Sequence, residues 1–184
     1  MGTIKQIFNV IDNFYEENDF MTLITAANLN SYIATYQPYN NINFINRLQA
    51  YACYETKEMV NEDNLLKIFI STFEKKTNLK IKRIQTFIRK IINSELKHVF
   101  EYGLPKHKDS TENFQIAGVI YINTFNLKDG TRLFSFEQQI EPDILIGSKP
   151  NRCVYYDTNI WHSPGHNENT EVRFVQPFFI ALEK

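Results

Sequence analysis

Two side chains that can bind a metal stand one residue apart in the stretch PKHKDS, namely His107 and Asp109. Alternate residues of a β-strand face the same side, so an H-x-D pair at a strand end can direct both side chains at one ion. A third ligand is available in VYYDTNIWHSPGH, where His162 follows Asp109 by 53 residues (162 minus 109). This distance leaves room for about four strands and a return to the same end of a barrel.

Two histidines and one carboxylate form the facial triad of non-haem Fe(II) sites, which leaves the opposite face of the metal open for substrate and oxygen. Each piece also has a simpler explanation. Surface loops contain H-x-D by chance, and a histidine that follows a tryptophan, as His162 follows Trp161, is often a capped or packed residue. His166 is a second candidate for the third ligand, but it comes after Pro164-Gly165, a sequence typical of a loop.

An arginine adds a third feature. Arg173 lies in the run EVRFVQPFF, and on a strand its neighbours Val172 and Phe174 face the opposite way. The pattern therefore predicts a permanent cation on an interior face. Burying an unpaired guanidinium is costly, so Arg173 requires a carboxylate from the protein or from a ligand. A dicarboxylate cosubstrate would provide one.

The elements that would position these residues change in character near residue 100. Beyond it, runs rich in β-branched and aromatic residues predict strands: FQIAGVIYIN, TRLFSFE, NRCVYYDT and EVRFVQPFFIAL. The segments LKDGT, IGSKPN and HSPGHNENT separate them and have turn composition, with Asp129-Gly130 as a hairpin turn. Strands of this length and spacing predict a closed or jelly-roll barrel over about residues 98–184.

The first half, about residues 1–97, is predicted to be a mostly helical flank packed outside the barrel. NDFMTLITAANL has the apolar stripe of a helix, with Asn18 or Asp19 as its N-cap; the stripe consists of Phe20, Leu23, Ile24 and Ala27. NEDNLLKIFISTFEKK has acidic residues at its start and Lys75 and Lys76 at its end, as the helix dipole favours. A helix around residues 43–52 is a weaker prediction, and IKQIFNVIDNF fits neither the strand nor the helix period well.

Composition limits the remaining possibilities. With 184 residues, 43% of them hydrophobic and 14% aromatic, the chain predicts one α+β domain over residues 1–184 with an aromatic core. A net charge of −1 gives no general attraction to nucleic acid or membranes. The chain lacks an apolar run of membrane-spanning length, and its start has no signal-peptide layout, so we expect a cytoplasmic protein. Cys53 and Cys153 form no CxxC pattern and are interpreted as small hydrophobes.

The order of the motifs resembles that of the Fe(II)- and 2-oxoglutarate-dependent oxygenases, nearest to their prolyl-hydroxylase-like branch. The matching pieces are H-x-D, the run ending in IYIN, DGT, YYDTNIWHSPG and the arginine of the last strand. They cover about residues 98–180, and VIDNFYEENDF matches more loosely near the start. The resemblance implies a double-stranded β-helix, which is a jelly-roll or cupin-like barrel, with packed N-terminal helices.

Residue by residue, the resemblance implies that His107, Asp109 and His162 bind the iron. It implies that Arg173 pairs with the distal carboxylate of 2-oxoglutarate. Tyr121 in VIYIN matches a tyrosine that donates a hydrogen bond to the same carboxylate. A core or rim tyrosine of an aromatic-rich sheet explains Tyr121 almost as well.

Two details qualify this match. Gly130 and Thr131 correspond to a GGT-like turn whose first glycine is replaced here by Asp129, which changes a turn and no ligand. His166 precedes Arg173 by 7 residues (173 minus 166), which is shorter than the usual gap in the family. We therefore favour His162 as the third ligand.

The chemistry implied by the resemblance is oxidative decarboxylation of 2-oxoglutarate by O2 to succinate and CO2, coupled to hydroxylation of a substrate. Ascorbate is a possible reductant. The carboxylate of Asp109 favours hydroxylation, or demethylation by way of hydroxylation, because halogenating members carry a small non-ligating residue there. Two alternatives stay open. One is a cupin-like metalloenzyme that does not use 2-oxoglutarate; the other is a catalytically silent β-helix domain that binds a ligand or partner, with the helices as the surface of a possible homodimer.

The substrate is constrained only by the basic stretch KKTNLKIKRIQTFIRK, residues 75–90, which contains seven basic residues and no acid. Such a stretch could contact nucleic acid or phosphate. The apolar residues spaced through it favour a different interpretation, in which the lysines lie on the solvated side of a helix end and a following strand. A small molecule or a protein side chain is therefore the preferred substrate, with nucleic acid less favoured and no membrane partner.

Overall fold

A computed structural model describes residues 8–37, 51–92, 106–109, 113–165 and 170–183. Its two helices are α1 (Glu17–Leu29) and α2 (Asn64–Thr77). Its strands are β1 (Phe8–Ile11), β2 (Ile33–Gln37), β3 (Tyr51–Glu55), β4 (Ile81–Thr86), β5 (Arg89–Ile92), β6 (Ile116–Tyr121), β7 (Asn126–Phe134), β8 (Ile144–Ser148), β9 (Arg152–Asp157), β10 (Trp161–Pro164) and β11 (Val172–Leu182). The described residues therefore form mostly antiparallel sheet together with these two helices.

Both predicted helices are confirmed, with differences at their ends. Helix α1 begins earlier than predicted, because Glu16 occupies the N-cap position and Asn18 and Asp19 lie inside the helix. Acidic residues in this first turn stabilise the positive end of the helix dipole. In α2 the basic last turn is confirmed, whereas no acidic residue lies in the first turn. Asp63, at its N-cap position, accepts a hydrogen bond from the Val60 N–H instead of capping the helix.

The first half is not the mostly helical flank that was predicted, since it also contributes strands β1 to β5 to the sheet. The ambiguous segment near the start forms β1 over residues 8–11. The weaker helix prediction is wrong for residues 51 and 52, which lie in β3, and residues 43–50 lie outside the described part of the chain. The strand expected after α2 in the basic stretch is confirmed by β4, whereas β2 and β3 were not predicted, because their apolar and polar residues mix without a clear period of two.

All four strand predictions after residue 100 are confirmed, by β6, β7, β9 and β11. The prediction of a hairpin turn at Asp129-Gly130 is wrong. Both residues are buried inside β7, at a point where its pairing with β8 shifts register between Asn126 and Thr131. A Cβ atom on Gly130 would lie 1.6 Å from the Ile146 carbonyl oxygen, so this glycine permits close backbone approach and not a turn.

The strands form two antiparallel sheets. The large sheet has the order β1-β9-β6-β11-β5-β3-β2, with β4 also paired to β11, and the small sheet has the order β10-β7-β8. From β6 onward the chain crosses repeatedly between them: β6, β9 and β11 lie in the large sheet, while the consecutive pair β7 and β8 and then β10 lie in the small sheet. This repeated crossing is typical of jelly-roll folds.

The helices, the large sheet and the small sheet form three layers, and an apolar cluster lies between each layer and the next. The outer cluster joins the helices to the large sheet and is strongly aromatic, as predicted, with Phe69 and Phe73 of α2 packed on Phe178 of β11. The inner cluster contains residues of both sheets and therefore lies between them; it consists of Ala117, Tyr121, Leu133, Ile146, Val154, Tyr156, Ile160 and Val175. Buried Cys153 packs in the outer cluster, and its burial raises the pKa of the thiol, in agreement with its interpretation as a small hydrophobe.

Strand β11 carries both clusters on opposite faces. Phe178 and Ile180 contribute to the outer cluster, while Val175 contributes to the inner one. Because Arg173 is two residues from Val175, its side chain faces the space between the sheets.

Among the described residues, no helix has the length and apolarity that a membrane span requires.

Candidate metal centre

The two histidines predicted as ligands lie directly opposite each other. His107 and His162 exchange backbone hydrogen bonds, with the N–H of each donating to the carbonyl oxygen of the other at 2.9 Å. Residues opposed in this way on antiparallel segments direct their side chains to the same face. Their ring centroids are accordingly 4.2 Å apart.

Asp109 lies between the two imidazoles. One carboxylate oxygen is 3.2 Å from Nε2 of His162, and the other is 3.6 Å from Nε2 of His107. One ligand atom from each of the three residues lies within 4.8 Å of the others. We call these residues the donor triad. Ligands on adjacent corners of an octahedral ion at ~2.1 Å are about 3 Å apart, so the spacing and the chemistry of the triad fit a divalent transition metal.

A hydrogen bond sets the orientation of His162. Its Nδ1 lies 3.1 Å from the carbonyl oxygen of Ile160, which can only accept, so Nδ1 carries the hydrogen. Nε2 is therefore the nitrogen that remains for a metal ion, as in many metal-bound histidines. The Tyr156 ring packs on the same imidazole, with the two ring centroids 4.6 Å apart.

The triad is closed on one side and open on the other. The side chain of His162 is only 6% exposed and that of Asp109 15%, whereas His107 is 46% exposed. The triad is therefore accessible from the His107 side. Burial raises the pKa of Asp109, but its 3.2 Å contact with His162 and the nearby positive charge of Arg89 outweigh burial and hold the pKa below its usual value. Asp109 is thus a carboxylate at neutral pH, as a metal ligand must be.

Arg173 is buried on β11 and faces the inter-sheet space, as the sequence predicted. Its Nη1 donates to the carbonyl oxygens of Asp129 at 3.0 Å and Gly165 at 2.7 Å. These carbonyls come from different segments, one from β7 and one from the residue after β10. The guanidinium is therefore held at a fixed position between them.

Tyr121 lies beside this arginine. It pairs with Val175, two residues from Arg173 along β11, and its hydroxyl is 2.7 Å from that of Thr131. Burial raises the pKa of Tyr121 to about 12, while the positive charge of Arg173 acts in the opposite direction. The phenol is therefore protonated at neutral pH and can donate a hydrogen bond. We call Arg173, Tyr121 and Thr131 the arginine cluster.

His162 of the triad and Thr131 of the arginine cluster lie on one face of the small sheet, whereas Arg173 and Tyr121 lie on the large sheet. In the β10–β7 ladder His162 is opposite Leu133, and Thr131 is two residues further along β7 on the same side. That step is about 7 Å. A ligand of a few carbon atoms between the sheets could therefore contact both groups.

Sequence reasoning missed an ion pair near the triad. Arg89 of β5 is opposite Val175 and so faces the inner side of the large sheet, where it pairs with Glu55 of β3 at 2.6 Å. Its positive charge helps to lower the pKa of Asp109. The only sequence signal is its place in the basic stretch, to which the sequence analysis assigns no ion pair.

The rest of the basic stretch shows mixed contacts. Lys80 pairs with Glu74 at 2.6 Å, Lys76 donates to the Asn13 carbonyl, and Arg83 lies over the Phe114 ring. His166 lies outside the described residues, so its exclusion as a ligand stays a prediction.

No family model matches the chain. No curated protein matches it either. Solved structures do match. An oxidoreductase of the 2OG-Fe(II) oxygenase family from Burkholderia pseudomallei has a TM-score of 0.63 at 9% identity, covering 97% of this chain and 86% of its own. The chain has the fold of the 2OG-Fe(II) oxygenases.

Two further structures support the same conclusion. A prolyl hydroxylase from Trichoplax adhaerens, in complex with a peptide fragment of the hypoxia inducible factor oxygen degradation domain, has a TM-score of 0.60 at 13% identity, covering 94% of this chain and 82% of its own. The non-heme alpha-ketoglutarate-dependent epimerase SnoN from nogalamycin biosynthesis has a TM-score of 0.61 at 10% identity, covering 96% and 79%. The resemblance found in the sequence is thus confirmed at the level of the fold.

Proposed function

We propose that this protein is an Fe(II)- and 2-oxoglutarate-dependent dioxygenase that hydroxylates a substrate. The observation that carries the proposal is the donor triad and the buried Arg173 on facing walls of one inter-sheet space. A metal barrel that used no dicarboxylate would need the triad but not a buried cation beside it. The fold shared with 2OG-Fe(II) oxygenases supports the proposal independently of these side chains.

The triad would hold the metal through Nε2 of each histidine and the Asp109 carboxylate. Bound Fe(II) would supply the activation of O2 and the oxidation of a C–H bond. The chain itself contributes orientation. The Ile160 carbonyl fixes the His162 ring, and the exposed side of His107 leaves an approach for substrate. Because Asp109 is a carboxylate, hydroxylation or demethylation through hydroxylation is favoured over halogenation.

The arginine cluster would hold the cosubstrate. A 2-oxoglutarate molecule would extend from the triad toward Arg173, whose guanidinium would pair with the distal carboxylate. Tyr121, protonated because its pKa is about 12, would donate a hydrogen bond to the same group. Apolar residues of the inner cluster surround this space and exclude water, which strengthens a charge-assisted pair.

We also propose that the two sheets form a double-stranded β-helix. The repeated crossing of β6 to β11 between the large and the small sheet supports it. For the substrate, we propose a small molecule or a protein side chain. The complex of the Trichoplax adhaerens enzyme with a peptide shows that a peptide can bind an enzyme of this fold.

The proposal is tested with metal-loaded protein. We expect calorimetry under anaerobic conditions to show that 2-oxoglutarate binds to the Mn(II)-loaded protein. We also expect slow formation of succinate with Fe(II), ascorbate and oxygen even without a substrate, because uncoupled turnover needs only the metal and cosubstrate sites. Metal binding without 2-oxoglutarate binding would favour the cupin-like alternative. Binding of both without succinate above a metal-free control would favour a catalytically silent domain.

A further inference from the structure

Asp129 is a buried carboxylate that the proposed chemistry does not use. It replaces the first glycine of the GGT-like turn, lies inside β7 and is 1% exposed. A buried charge is costly unless hydrogen bonds compensate it. The hydroxyl of Thr170, just before β11, donates to its carboxylate at 2.5 Å.

The backbone of the same residue holds Arg173. The Asp129 carbonyl is one of the two acceptors of Nη1, and the other is the carbonyl of Gly165. The Arg173 side chain thus bridges β7 and the segment that follows β10. Its position depends on how these two segments pack against each other.

Two further contacts lie beside these carbonyls, one to the segment after β10 and one to the residues just before β11. The Gly165 N–H donates to the Gly130 carbonyl at 2.6 Å, and a Cβ on Gly165 would lie 2.1 Å from the Lys128 carbonyl oxygen, so the backbones are in close contact. The second is the hydrogen bond between Asp129 and Thr170, which joins β7 to a residue three positions before Arg173. Both contacts lie within a few residues of the two carbonyls.

We propose that Asp129 is a positioning residue for Arg173. Its carboxylate holds Thr170, and through it the start of β11, against β7, so that the guanidinium stays between its two carbonyl acceptors. This inference rests on the proposed function for the identity of the ligand that benefits, which is the distal carboxylate of 2-oxoglutarate. The held guanidinium would bind that carboxylate without first losing side-chain freedom.

The substitutions separate the hydrogen bond from charge and volume. Thr170→Val removes the hydroxyl at nearly constant volume, whereas Thr170→Ser keeps it. Asp129→Ala removes the acceptor, whereas Asp129→Asn keeps an acceptor oxygen without the charge. Asp143→Ala is the matched control, because it removes a carboxylate that accepts from a Ser135 hydroxyl at 2.8 Å in the loop between β7 and β8.

Two measurements apply to each variant. The first is calorimetry of Mn(II) and of 2-oxoglutarate binding to the Mn(II)-loaded protein. The second is the rate at which phenylglyoxal labels Arg173 in the metal-free protein, measured by mass spectrometry relative to Arg132. We expect Thr170→Val and Asp129→Ala to weaken 2-oxoglutarate binding about tenfold and to speed labelling of Arg173, with Mn(II) affinity unchanged. Thr170→Ser, Asp129→Asn and the control should stay within about threefold of the wild type.

The outcomes distinguish this inference from the proposed function. If the wild type fails to bind 2-oxoglutarate, the proposed function is wrong, and the labelling rates still decide whether Asp129 positions Arg173. If Thr170→Val labels at the wild-type rate, the positioning role is overturned. A parallel loss of Mn(II) affinity would also overturn it, since the link would then support the whole site and not the arginine. Thr170→Val keeps the test open even if Asp129→Ala fails to fold.

Discussion

Replacing Arg173 tests what separates a 2-oxoglutarate enzyme from a generic metal barrel. A two-point, charge-assisted pair in a mostly dry space contributes about 2 to 4 kcal/mol once the unpaired ligand charge is counted. Arg173→Ala should therefore weaken 2-oxoglutarate binding by roughly 30- to 1000-fold. Arg173→Lys should fall between, because it keeps the charge and loses the planar fork.

The structure adds a second expected effect. Nη1 donates to two buried carbonyls, so Arg173→Ala leaves both without this donor and should lower the free energy of unfolding by about 3 kcal/mol. Metal affinity should change little, since the donor triad does not include Arg173. The two effects must be measured separately, by urea unfolding and by calorimetry on folded, Mn(II)-loaded protein.

The reasoning is refuted if Arg173→Ala and the wild type bind 2-oxoglutarate equally, each with metal bound. In that case the arginine would only hold β7 and the segment after β10 together, and the cupin-like alternative would replace our proposal. The stability measurement would still be expected to show the loss.

Three further predictions concern other parts of the molecule. His162→Ala should abolish Mn(II) binding by calorimetry and leave the circular dichroism spectrum unchanged; full affinity in this variant would remove His162 from the triad. Tyr15→Phe should lower the free energy of unfolding by about 1 to 2 kcal/mol in urea, because the buried Oε1 of Gln176 loses its 2.8 Å hydrogen bond. The hydrogen bond from Arg152 lowers the pKa of Asp12 to about 2, so this pair should stabilise the protein above about pH 4 and lose its effect as pH falls toward 2. Since Asp12 is 40% exposed, the effect should stay below about 1 kcal/mol, and Asp12→Asn should flatten the pH dependence of unfolding in that range.

Much of the architecture could be predicted because it depends on local periodicity. The apolar stripe of α2 and the β-branched runs of β6, β9 and β11 carry their structure in their own sequence. The triad could be predicted for a similar reason, since metal ligands require particular side chains. Arg173 was informative because a cation between apolar strand residues has few structural explanations.

Other features depend on distant parts of the chain. Asp129-Gly130 has the composition of a turn, yet it lies inside a strand because Ile146 of β8 packs closely on Gly130. Strand β10 contains Pro164 and looks like a loop, and only its pairing with β7 makes it a strand. The ion pair of Arg89 and Glu55 joins strands 34 residues apart in sequence (89 minus 55), which no local pattern reports.

The position of β11 has a consequence for biosynthesis. It is the central strand of the large sheet, paired with β6 on one side and with β4 and β5 on the other, yet it follows every other described strand in sequence. Strand β1 likewise pairs with β9, with Phe8 opposite Tyr156, 148 residues away. A nascent chain whose residues 172–182 are still inside the ribosome therefore lacks the strand that joins β6 to β4 and β5. Such long-range pairing predicts slow folding that is completed only once residues 172–182 have left the ribosome, with exposed strand edges that a chaperone would need to protect until then.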